Sequence, residues 1–367
     1  MTSSAETVKT RHHEYTLVLP LLTLLVLVMW GDTTSLGAII AINALALVGI
    51  LSSAFSVVRH ADVLAHRLGE PFGSLILSLS VVILEVSLIS ALMATGDAGP
   101  HLMRDTLYSI IMIVTGGLVG FALILGGRKF ATQYVNLGGI KQYLMAIIPL
   151  AVLVLVFPAA LPAGNFSVSQ SLIIALISAV MYGVFLKIQT RTHQSLFVYE
   201  HEDESDGEGD SHHGKPSAHS SLWHAVWLLV HLIAVISVTK MDSKLLETLL
   251  ERMNAPSQFT GFLVALLILS PEGLGAIKAV LQNQVQRAMN LFFGSVLATI
   301  SLTVPAVTLI AMITGNTLNF ALDMPHIVVM VTVLVLCHIS FSTGRTNVLN
   351  GSAHLAMFAA YIMTIML

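Results

Sequence analysis

Two acidic residues lie where acids are rare, inside long apolar runs of the chain. Glu85 falls in the run from 71 to 95, and Glu272 falls in the run from 257 to 281. An acid at the middle of a bilayer costs roughly 2.5–3.5 kcal/mol on insertion scales, so a retained one is by default a functional-site hypothesis. The alternative interpretation is a pair of neutral acids in structural hydrogen bonds.

Two carboxyl groups that lie close together in an apolar medium are suited to exchanging protons for metal cations. When both are ionised they repel each other, which favours a bound proton on at least one of them. Carboxylate oxygens are also the ligands that hard cations prefer. Proton and cation then compete for the same oxygens, and this competition combined with alternating access gives antiport. We therefore expect Glu85 and Glu272 to bind the cation and protons in turn.

Hydroxyl groups on the Glu85 helix are candidates for further cation-site oxygens. Ser74, Ser78 and Glu85 stand at offsets of 0, 4 and 11, which places them on one helical face. The alternative is that the two serines serve helix packing or bond back to their own helix.

A proline beside the second acid supplies another candidate oxygen. Pro271 has no N–H, so the carbonyl of Leu267, four residues earlier, loses its helical partner and can turn toward an ion. Ser270, directly before the proline, is a further candidate. The alternative interpretation of Pro271 is a plain kink.

The composition indicates that these acids are placed by membrane-spanning helices. The 367 residues are 55% hydrophobic and only 10% charged, against about 25% charged residues in a soluble domain. A span needs about 20 apolar residues. Eleven candidates satisfy this pattern: 15–31, 36–58, 71–95, 107–126, 143–163, 168–188, 221–240, 257–281, 288–313, 326–342 and 347–366.

A polar, acidic linker divides these spans into two halves. Seven of the 20 acids fall between Glu200 and Asp210, a composition typical of a solvated connector. Because five spans follow a leading helix and five more follow the linker, the second half enters the membrane from the opposite side, as in an inverted repeat. The predicted divisions are 1–35 (N-terminal segment and leading helix), 36–188 (first five-helix repeat), 189–220 (linker) and 221–367 (second five-helix repeat).

The distribution of Lys and Arg predicts the orientation. With the N-terminus inside, the inner segments carry thirteen of these residues and the outer segments carry four. Basic residues concentrate in cytoplasmic loops. We therefore expect a cytoplasmic N-terminus and a C-terminus on the outer side.

Three stretches carry a resemblance to a known family. They are residues 73–85 (GSLILSLSVVILE), residues 272–305, which begin EGLGAIKAVL, and residues 344–361 (GRTNVLNGSAHLAMFAAY). Together with the one-plus-five-plus-five layout, they resemble the calcium/proton exchanger family of the cation/calcium exchanger superfamily. In particular, they are similar to its bacterial ChaA-type sodium(potassium, calcium)/proton antiporters.

The resemblance implies antiport of Na⁺, K⁺ and/or Ca²⁺ for H⁺ across the bacterial inner membrane, with the C-terminus periplasmic. It assigns the conserved glutamates to Glu85 and Glu272 as metal ligands and implies that the third span of each half completes the site, through Thr115, Gly116, Ser295 and Thr299. No cofactor is expected apart from the transported cations. The expected partners are membrane lipid and small inorganic cations, without nucleic acid, and a homodimer is left open.

The chain departs from the family pattern near both glutamates. The family has a Gly-Asn pair before each signature Glu, where Asn helps to bind calcium. Here Val81-Val82 and the residues 269–271 occupy those regions, and Asn350 stands where many members have Glu. These departures leave the choice among Na⁺, K⁺ and Ca²⁺ open.

Several histidines fall in or near the apolar spans. His338 and His354 are candidate accessory residues, because an intramembrane His can relay protons. A packed His with one hydrogen bond is the alternative for both and the favoured interpretation of His231. Residues 59–70, which include His60, are predicted to form a charged cytoplasmic loop.

Two other function classes compete with antiport. A passive cation channel would line an open pore with carbonyls or charged rings, usually around an oligomer axis. Two pseudosymmetric acids within one chain favour a closed transporter site instead. An intramembrane hydrolase is disfavoured, because the sequence lacks the H-E-x-x-H motif, the P-loop and a pair of mid-span aspartates. We therefore expect that the chain is not an enzyme.

Overall fold

The computed structural model describes residues 14–68, 72–95, 100–197 and 219–366, which are predominantly helical. Within these residues, eight helices are long and apolar enough to cross a membrane, and three shorter apolar helices accompany them. These eleven correspond in order to the eleven predicted spans. The prediction of an all-α polytopic fold with a leading helix and two five-helix halves is confirmed.

The helices are α1 (Val18–Trp30), α2 (Leu36–Leu68), α3 (Phe72–Thr95), α4 (Leu102–Met112), α5 (Val119–Phe130), α6 (Leu137–Ala151), α7 (Val168–Lys187), α8 (Ser221–Arg252), α9 (Gln258–Leu281), α10 (Val285–Ala298), α11 (Val304–Thr314), α12 (Met324–Ser340) and α13 (Val348–Ile365). Four π-helical segments join or extend some of them: π1 (Ile113–Leu118), π2 (Val152–Val156), π3 (Ile188–Thr192) and π4 (Thr299–Thr303). The remaining elements are the 3₁₀ turns Tyr15–Leu17, Phe157–Ala160 and Gln194–Phe197, and the strands β1 (Gln133–Tyr134) and β2 (Arg345–Thr346).

Polar side chains mark where several of these helices begin. The Ser167 hydroxyl accepts a hydrogen bond from the Gln170 backbone N–H, and the Gln170 side-chain oxygen accepts one from the Ser167 backbone N–H, so a capping box starts α7. Asn347 and Asn350 form the same reciprocal pair at the start of α13. Asn350, which departs from the family pattern, therefore stabilises a helix terminus in this chain.

Two helices extend well beyond the apolar runs that predicted them. The second span continues to Leu68, and the seventh continues to Arg252. Arg, Lys, Leu and Glu are all good helix formers, so a helix persists after the hydrophobic run ends. The prediction of a loop after residue 58 was therefore wrong, and Arg59 and His60 are helical residues of α2.

The chain divides into two compact units. Unit 1 comprises residues 1–84 and 200–242, and unit 2 comprises residues 85–199 and 243–367. The first span of each half belongs to unit 1. In the first half this span is α2, and in the second half it is the larger part of α8. The boundaries predicted from the sequence concern repeats rather than these compact units, and they stay predictions.

Hydrogen bonds hold the leading helix against α2 within unit 1. The Ser52 hydroxyl donates to the carbonyl of Thr16 over 2.9 Å. The Thr23 hydroxyl, which also bonds back to Leu19, lies 3.3 Å from the Leu45 carbonyl. Such hydroxyl contacts between helices replace the hydrophobic effect, which does not drive helix association inside a bilayer.

Contacts within unit 2 agree with the prediction that successive connecting segments lie alternately on the inner and outer sides of the membrane. β1 pairs antiparallel with β2, so residues 133–134 and 345–346 lie together, and both belong to predicted inner segments. The Arg104 guanidinium donates to the Ala321 carbonyl over 2.8 Å, and both of these residues belong to predicted outer segments. The pairings support the order in which the spans cross, whereas the orientation of the termini stays a prediction.

Small residues bring α5 and α13 into very close contact in unit 2. A Cβ atom placed on Gly351 would lie 2.6 Å from the carbonyl oxygen of Gly120. A Cβ atom on Gly120 would lie 2.9 Å from the backbone nitrogen of Leu355. Such contacts between backbones are possible only where side chains are absent, as at other membrane-helix crossings.

The third span of each half is interrupted at its middle by a π-helical segment. π1 follows the 11 residues of α4, and π4 follows the 14 residues of α10. π-Bulges are rare and occur frequently at functional sites. Their presence in equivalent spans of the two halves agrees with an inverted repeat and directs attention to the side chains beside them.

Candidate functional site

Glu85 is completely buried in α3, with 0% of its surface exposed. The Thr299 hydroxyl, at the start of π4, donates a hydrogen bond of 2.9 Å to its Oε2 atom. The Oε1 atom is also buried, and it has no hydrogen-bond partner among the described residues. One carboxyl oxygen is therefore held in place and the other is available to a proton or cation.

Glu272 lies in α9 directly after Pro271, and α9 continues through the proline without a break. The Ser295 hydroxyl of α10 faces the Glu272 carboxyl. In the part of the chain that the structure describes, however, neither Glu272 Oε2 nor Ser295 Oγ makes a hydrogen bond of standard geometry, although both atoms are buried. This second carboxyl also presents a buried oxygen without a donor.

The two glutamates belong to the same compact unit. They are close enough for the charge of Glu272 to act on the Glu85 carboxyl. An ionised carboxylate in an apolar interior is costly unless it is paired. Because each glutamate has a buried oxygen without a hydrogen-bond donor among the described residues, the arrangement favours a bound proton or a bound cation at each.

π4 supplies the hydroxyl groups around Glu85. The side chain of Thr303 faces the Glu85 carboxyl together with Thr299. Thr299 was a candidate from the family resemblance, whereas Thr303 was missed. The spacing of four residues between these threonines is a signal that could have identified Thr303, because residues four apart share a helical face.

Thr115 and Gly116, the other residues implied by the resemblance, lie in π1. The Thr115 hydroxyl donates to the Ile111 carbonyl of its own helix over 2.6 Å. Gly116 packs against Phe358, where an added Cβ atom would lie 3.3 Å from the Phe358 nitrogen. In this structure both residues serve helix geometry and packing.

The remaining candidate oxygens belong to residues of α3 and α9. The Ser270 hydroxyl donates to the Leu266 carbonyl over 2.6 Å, so it is bonded back to its own helix. Leu267 lies one turn before Pro271 inside α9, and its carbonyl therefore lacks the proline N–H. Ser74 and Ser78 lie in α3, but their side chains fall outside the described part of the chain.

The two accessory histidines have different surroundings. His354 is fully buried, its Nδ1 lies 2.6 Å from the carbonyl oxygen of Thr115 in π1, and its Nε2 lies 3.1 Å from the hydroxyl of Ser340. His338 is exposed on α12. The structure therefore joins His354 to the π1 segment through the backbone, whereas it places His338 on the surface.

Two further buried acids were missed because their helices extend beyond the apolar runs. Asp105, in unit 2, accepts a hydrogen bond from the Arg104 guanidinium over 2.8 Å and is 6% exposed. Asp242, in unit 1, is also 6% exposed. The paired arginine explains why Asp105 is tolerated inside a spanning helix.

Comparisons with known proteins agree with this architecture. Residues 38–191 and 223–367 match the family described as "Sodium/calcium exchanger protein". The chain is 78% identical over 365 residues to the sodium-potassium/proton antiporter ChaA of Escherichia coli (strain K12), with 100% of each chain covered.

Solved structures show the same fold at low sequence identity. The structure of native YfkE superposes with a TM-score of 0.70 at 17% identity, covering 96% of this chain and all of that chain. The crystal structure of the H⁺/Ca²⁺ exchanger CAX gives a TM-score of 0.69 at 15% identity, covering 95% and 87% of the two chains. The structural matches show the shared fold, and the family match over residues 38–191 and 223–367 together with the 78% identical relative establishes that the chain belongs to the sodium/calcium exchanger protein family.

Proposed function

We propose that the chain is a secondary antiporter that exchanges Na⁺, K⁺ and/or Ca²⁺ for H⁺, with Glu85 and Glu272 holding the cation and the protons in turn. The observation that carries the proposal is the buried oxygen on each glutamate that has no hydrogen-bond partner among the described residues, with both glutamates in one compact unit. The relative at 78% identity is named for sodium-potassium/proton antiport, which supports the same chemistry here.

Charge neutrality suggests how the exchange proceeds. The buried site keeps the same net charge when one monovalent cation replaces one proton, or when one divalent cation replaces two. Because uncompensated charge in an apolar interior is costly, states with both carboxylates ionised and nothing bound are disfavoured. This constraint couples cation entry to proton release, which is the requirement for antiport.

Alternating access is the transport cycle that we propose for this exchange. Rocking of one body or bundle in secondary transporters exposes a fixed midplane site to each side in turn. We therefore propose that Glu85 and Glu272 are exposed to the two sides of the membrane in turn.

The proposed location is the bacterial inner membrane, with a cytoplasmic N-terminus and a periplasmic C-terminus. The bacterial relative and the excess of Lys and Arg in the inner segments support it. Membrane lipid and the transported ions are the only partners that the proposal requires, and neither a cofactor nor an enzymatic step is part of it.

Transport by purified protein in proteoliposomes tests the function. Na⁺, K⁺ and Ca²⁺ are offered separately outside vesicles that contain a pH-sensitive dye, with the membrane potential clamped. Antiport predicts that each accepted cation changes the internal pH in exchange for its entry. Cation uptake without a change in internal pH would instead indicate the passive channel.

Neutral glutamine substitutions test the two glutamates. Glu85→Gln and Glu272→Gln should each reduce exchange to background, because an amide neither releases a proton nor offers a full negative charge to a cation. Glu251→Gln, a matched change of an exposed acid on α8, should leave exchange intact. Near-normal exchange by either of the first two variants would contradict the mechanism, provided that all three proteins insert to the same level.

A further inference from the structure

A second cluster of titratable side chains belongs to unit 1, whereas Glu85 and Glu272 belong to unit 2. Glu14, just before α1, meets His60 of α2 and His231 of α8. Both imidazoles are completely buried. The Nε2 atom of His60 lies 3.4 Å from Glu14 Oε2, and the Nε2 atom of His231 lies 3.3 Å from the same oxygen. Three separate segments of the chain thus bring two nitrogens and one oxygen together.

These distances fit the edges of a tetrahedral metal site. Zn²⁺ binds His nitrogen and carboxylate oxygen at about 2.0–2.2 Å, which separates neighbouring ligand atoms in a tetrahedron by about 3.3–3.5 Å. The two nitrogen-to-oxygen distances in the cluster are 3.4 and 3.3 Å. All three ligand atoms lie within 4.8 Å of one another, so one ion could contact all of them after small side-chain movements.

Each histidine has a partner for its other ring nitrogen. His231 Nδ1 lies 3.1 Å from the hydroxyl of Ser53, and His60 Nδ1 lies 2.8 Å from Nδ1 of His224. If these partners accept the Nδ1 proton, the Nε2 lone pairs point toward Glu14. Histidines that ligate metals almost always donate their other N–H in this manner, which fixes the tautomer and orients the ring.

In this structure the Arg59 guanidinium lies beside the three ligand atoms, where a bound metal ion would otherwise neutralise Glu14. Its guanidinium lies 2.7 Å from Glu14 Oε2 and 3.5 Å from His60 Nε2. The Arg59 side chain is 32% exposed, so it has room to turn away when another cation enters. The second carboxyl oxygen, Glu14 Oε1, is buried and has no hydrogen-bond partner among the residues described.

The ligand set differs in kind from that of the transport glutamates. Imidazole nitrogen suits Zn²⁺ and other first-row transition metals, whereas Mg²⁺, Ca²⁺ and Mn²⁺ prefer oxygen. We propose that Glu14, His60 and His231 form a site for Zn²⁺ or a similar transition-metal dication, with Arg59 displaced and water as the fourth ligand. The bound ion would fasten the segment before α1 to α2 and α8 within unit 1.

Metal binding to the full-length protein in detergent tests this site. Co²⁺ is the spectroscopic probe, and a protein without a polyhistidine tag is required. The histidines at 12–13 and 212–213, which lie outside the described residues, are first replaced by Ala so that they cannot bind the probe. We expect one Co²⁺ per chain with the intense visible absorption of a tetrahedral site, displaced by Zn²⁺. Absence of stoichiometric binding, or an octahedral spectrum, would overturn the proposal.

Variants assign the binding to these residues. His231→Gln and Glu14→Gln should remove the tetrahedral spectrum, while His193→Gln, a matched change of an exposed histidine, should retain it. Ser53→Ala is a milder variant that keeps all three ligands, and it should weaken binding by about 10–100-fold, as loss of an outer partner typically does. An unchanged spectrum in His231→Gln would show that the ion binds elsewhere.

Two further measurements separate this site from the transport site and from simple misfolding. Glu272→Gln should bind Co²⁺ as the parent does, and loss of the spectrum in that variant would assign the ion to the transport site and overturn the proposal. Excess Zn²⁺ should raise the Tm of the parent, since a ligand that binds only the folded state stabilises it. Excess Zn²⁺ should leave the Tm of His231→Gln unchanged. An equal rise in Tm in both proteins on addition of Zn²⁺ would contradict the assignment.

Discussion

At the scale of single residues, the carboxyl groups of Glu85 and Glu272 differ in their hydrogen bonds. The Thr299 hydroxyl donates to Glu85 Oε2, whereas Glu272 Oε2 has no partner within the described part of the chain. A hydroxyl that donates to a carboxylate stabilises its ionised form. The two carboxyls should therefore differ in how readily each one exchanges a proton for a cation.

Removal of the Thr299 hydroxyl should shift the pH dependence of exchange. Hydrogen bonds to charged groups contribute about 1.5–3 kcal/mol, and one pH unit corresponds to about 1.4 kcal/mol. Thr299→Val should therefore move the pH of half-maximal exchange upward by roughly 1–2 units, because Glu85 then holds its proton to higher pH. Thr299→Ser keeps the hydroxyl and is the control. A profile that does not move in Thr299→Val would show that this hydrogen bond does not act on the exchanging carboxyl.

The glutamates themselves could be identified from the sequence, because a charge inside a long apolar run is conspicuous whatever the tertiary structure. Thr303 and Asp105 were missed, although the spacing of four residues between Thr299 and Thr303 was a signal for Thr303. Thr303 matters only because π4 turns it toward Glu85, and Asp105 was assigned outside its span because the apolar run begins after it. The cluster of Glu14, His60 and His231 was also missed, since its members are far apart in the sequence and meet only through tertiary packing.

At the scale of elements, the crossing of α5 and α13 is a close contact between backbones on which a substitution acts directly. Gly351 and Gly120 allow the backbones to touch, and His354 of α13 reaches the Thr115 carbonyl of π1 beside this crossing. The crossing thus holds the π segment of the first half in place. The number and order of the spans could be predicted from hydropathy, but the helix ends and the π segments could not, because both depend on backbone hydrogen bonding rather than on apolar composition.

An added methyl group at the crossing should destabilise the protein. In Gly351→Ala the new Cβ atom would lie 2.6 Å from the Gly120 carbonyl oxygen and 2.8 Å from the Ile124 nitrogen. Overpacking of this kind costs about 1–3 kcal/mol. Gly183→Ala is the matched control, since nothing lies within 4 Å of an added Cβ there. Thermal unfolding in detergent should show a lower Tm for Gly351→Ala alone, and equal Tm values would contradict the packing described.

At the scale of the whole molecule, the chain consists of two repeats by sequence and two compact units by contact. The inverted repeat could be predicted from the number of spans alone. Because each half has an odd number of spans, the second half enters the membrane from the side opposite to the first. The compact units could not, because each draws helices from both repeats and only packing decides which helices associate. The orientation in the membrane is a prediction from the basic residues of the inner segments.

Cysteine labelling in spheroplasts tests the orientation. Cys337 is the only cysteine and is buried, so Cys337→Ala provides a background for single cysteines at Thr132 and Thr317, which are both exposed. A membrane-impermeant maleimide should label Thr317→Cys, in a predicted outer segment, and should spare Thr132→Cys, in a predicted inner one. The reverse pattern would mean that the chain is inserted the other way round.

The apparent affinity of the reconstituted protein for its cation, measured across a series of pH values, tests most directly whether proton and cation share the same two carboxyls. Metal affinity at a ligand that must be deprotonated falls by about tenfold per pH unit for each competing proton. We predict such a fall as the pH is lowered, with the maximal rate recovered at saturating cation. An apparent affinity that stays constant across that range would contradict binding of both ions at Glu85 and Glu272.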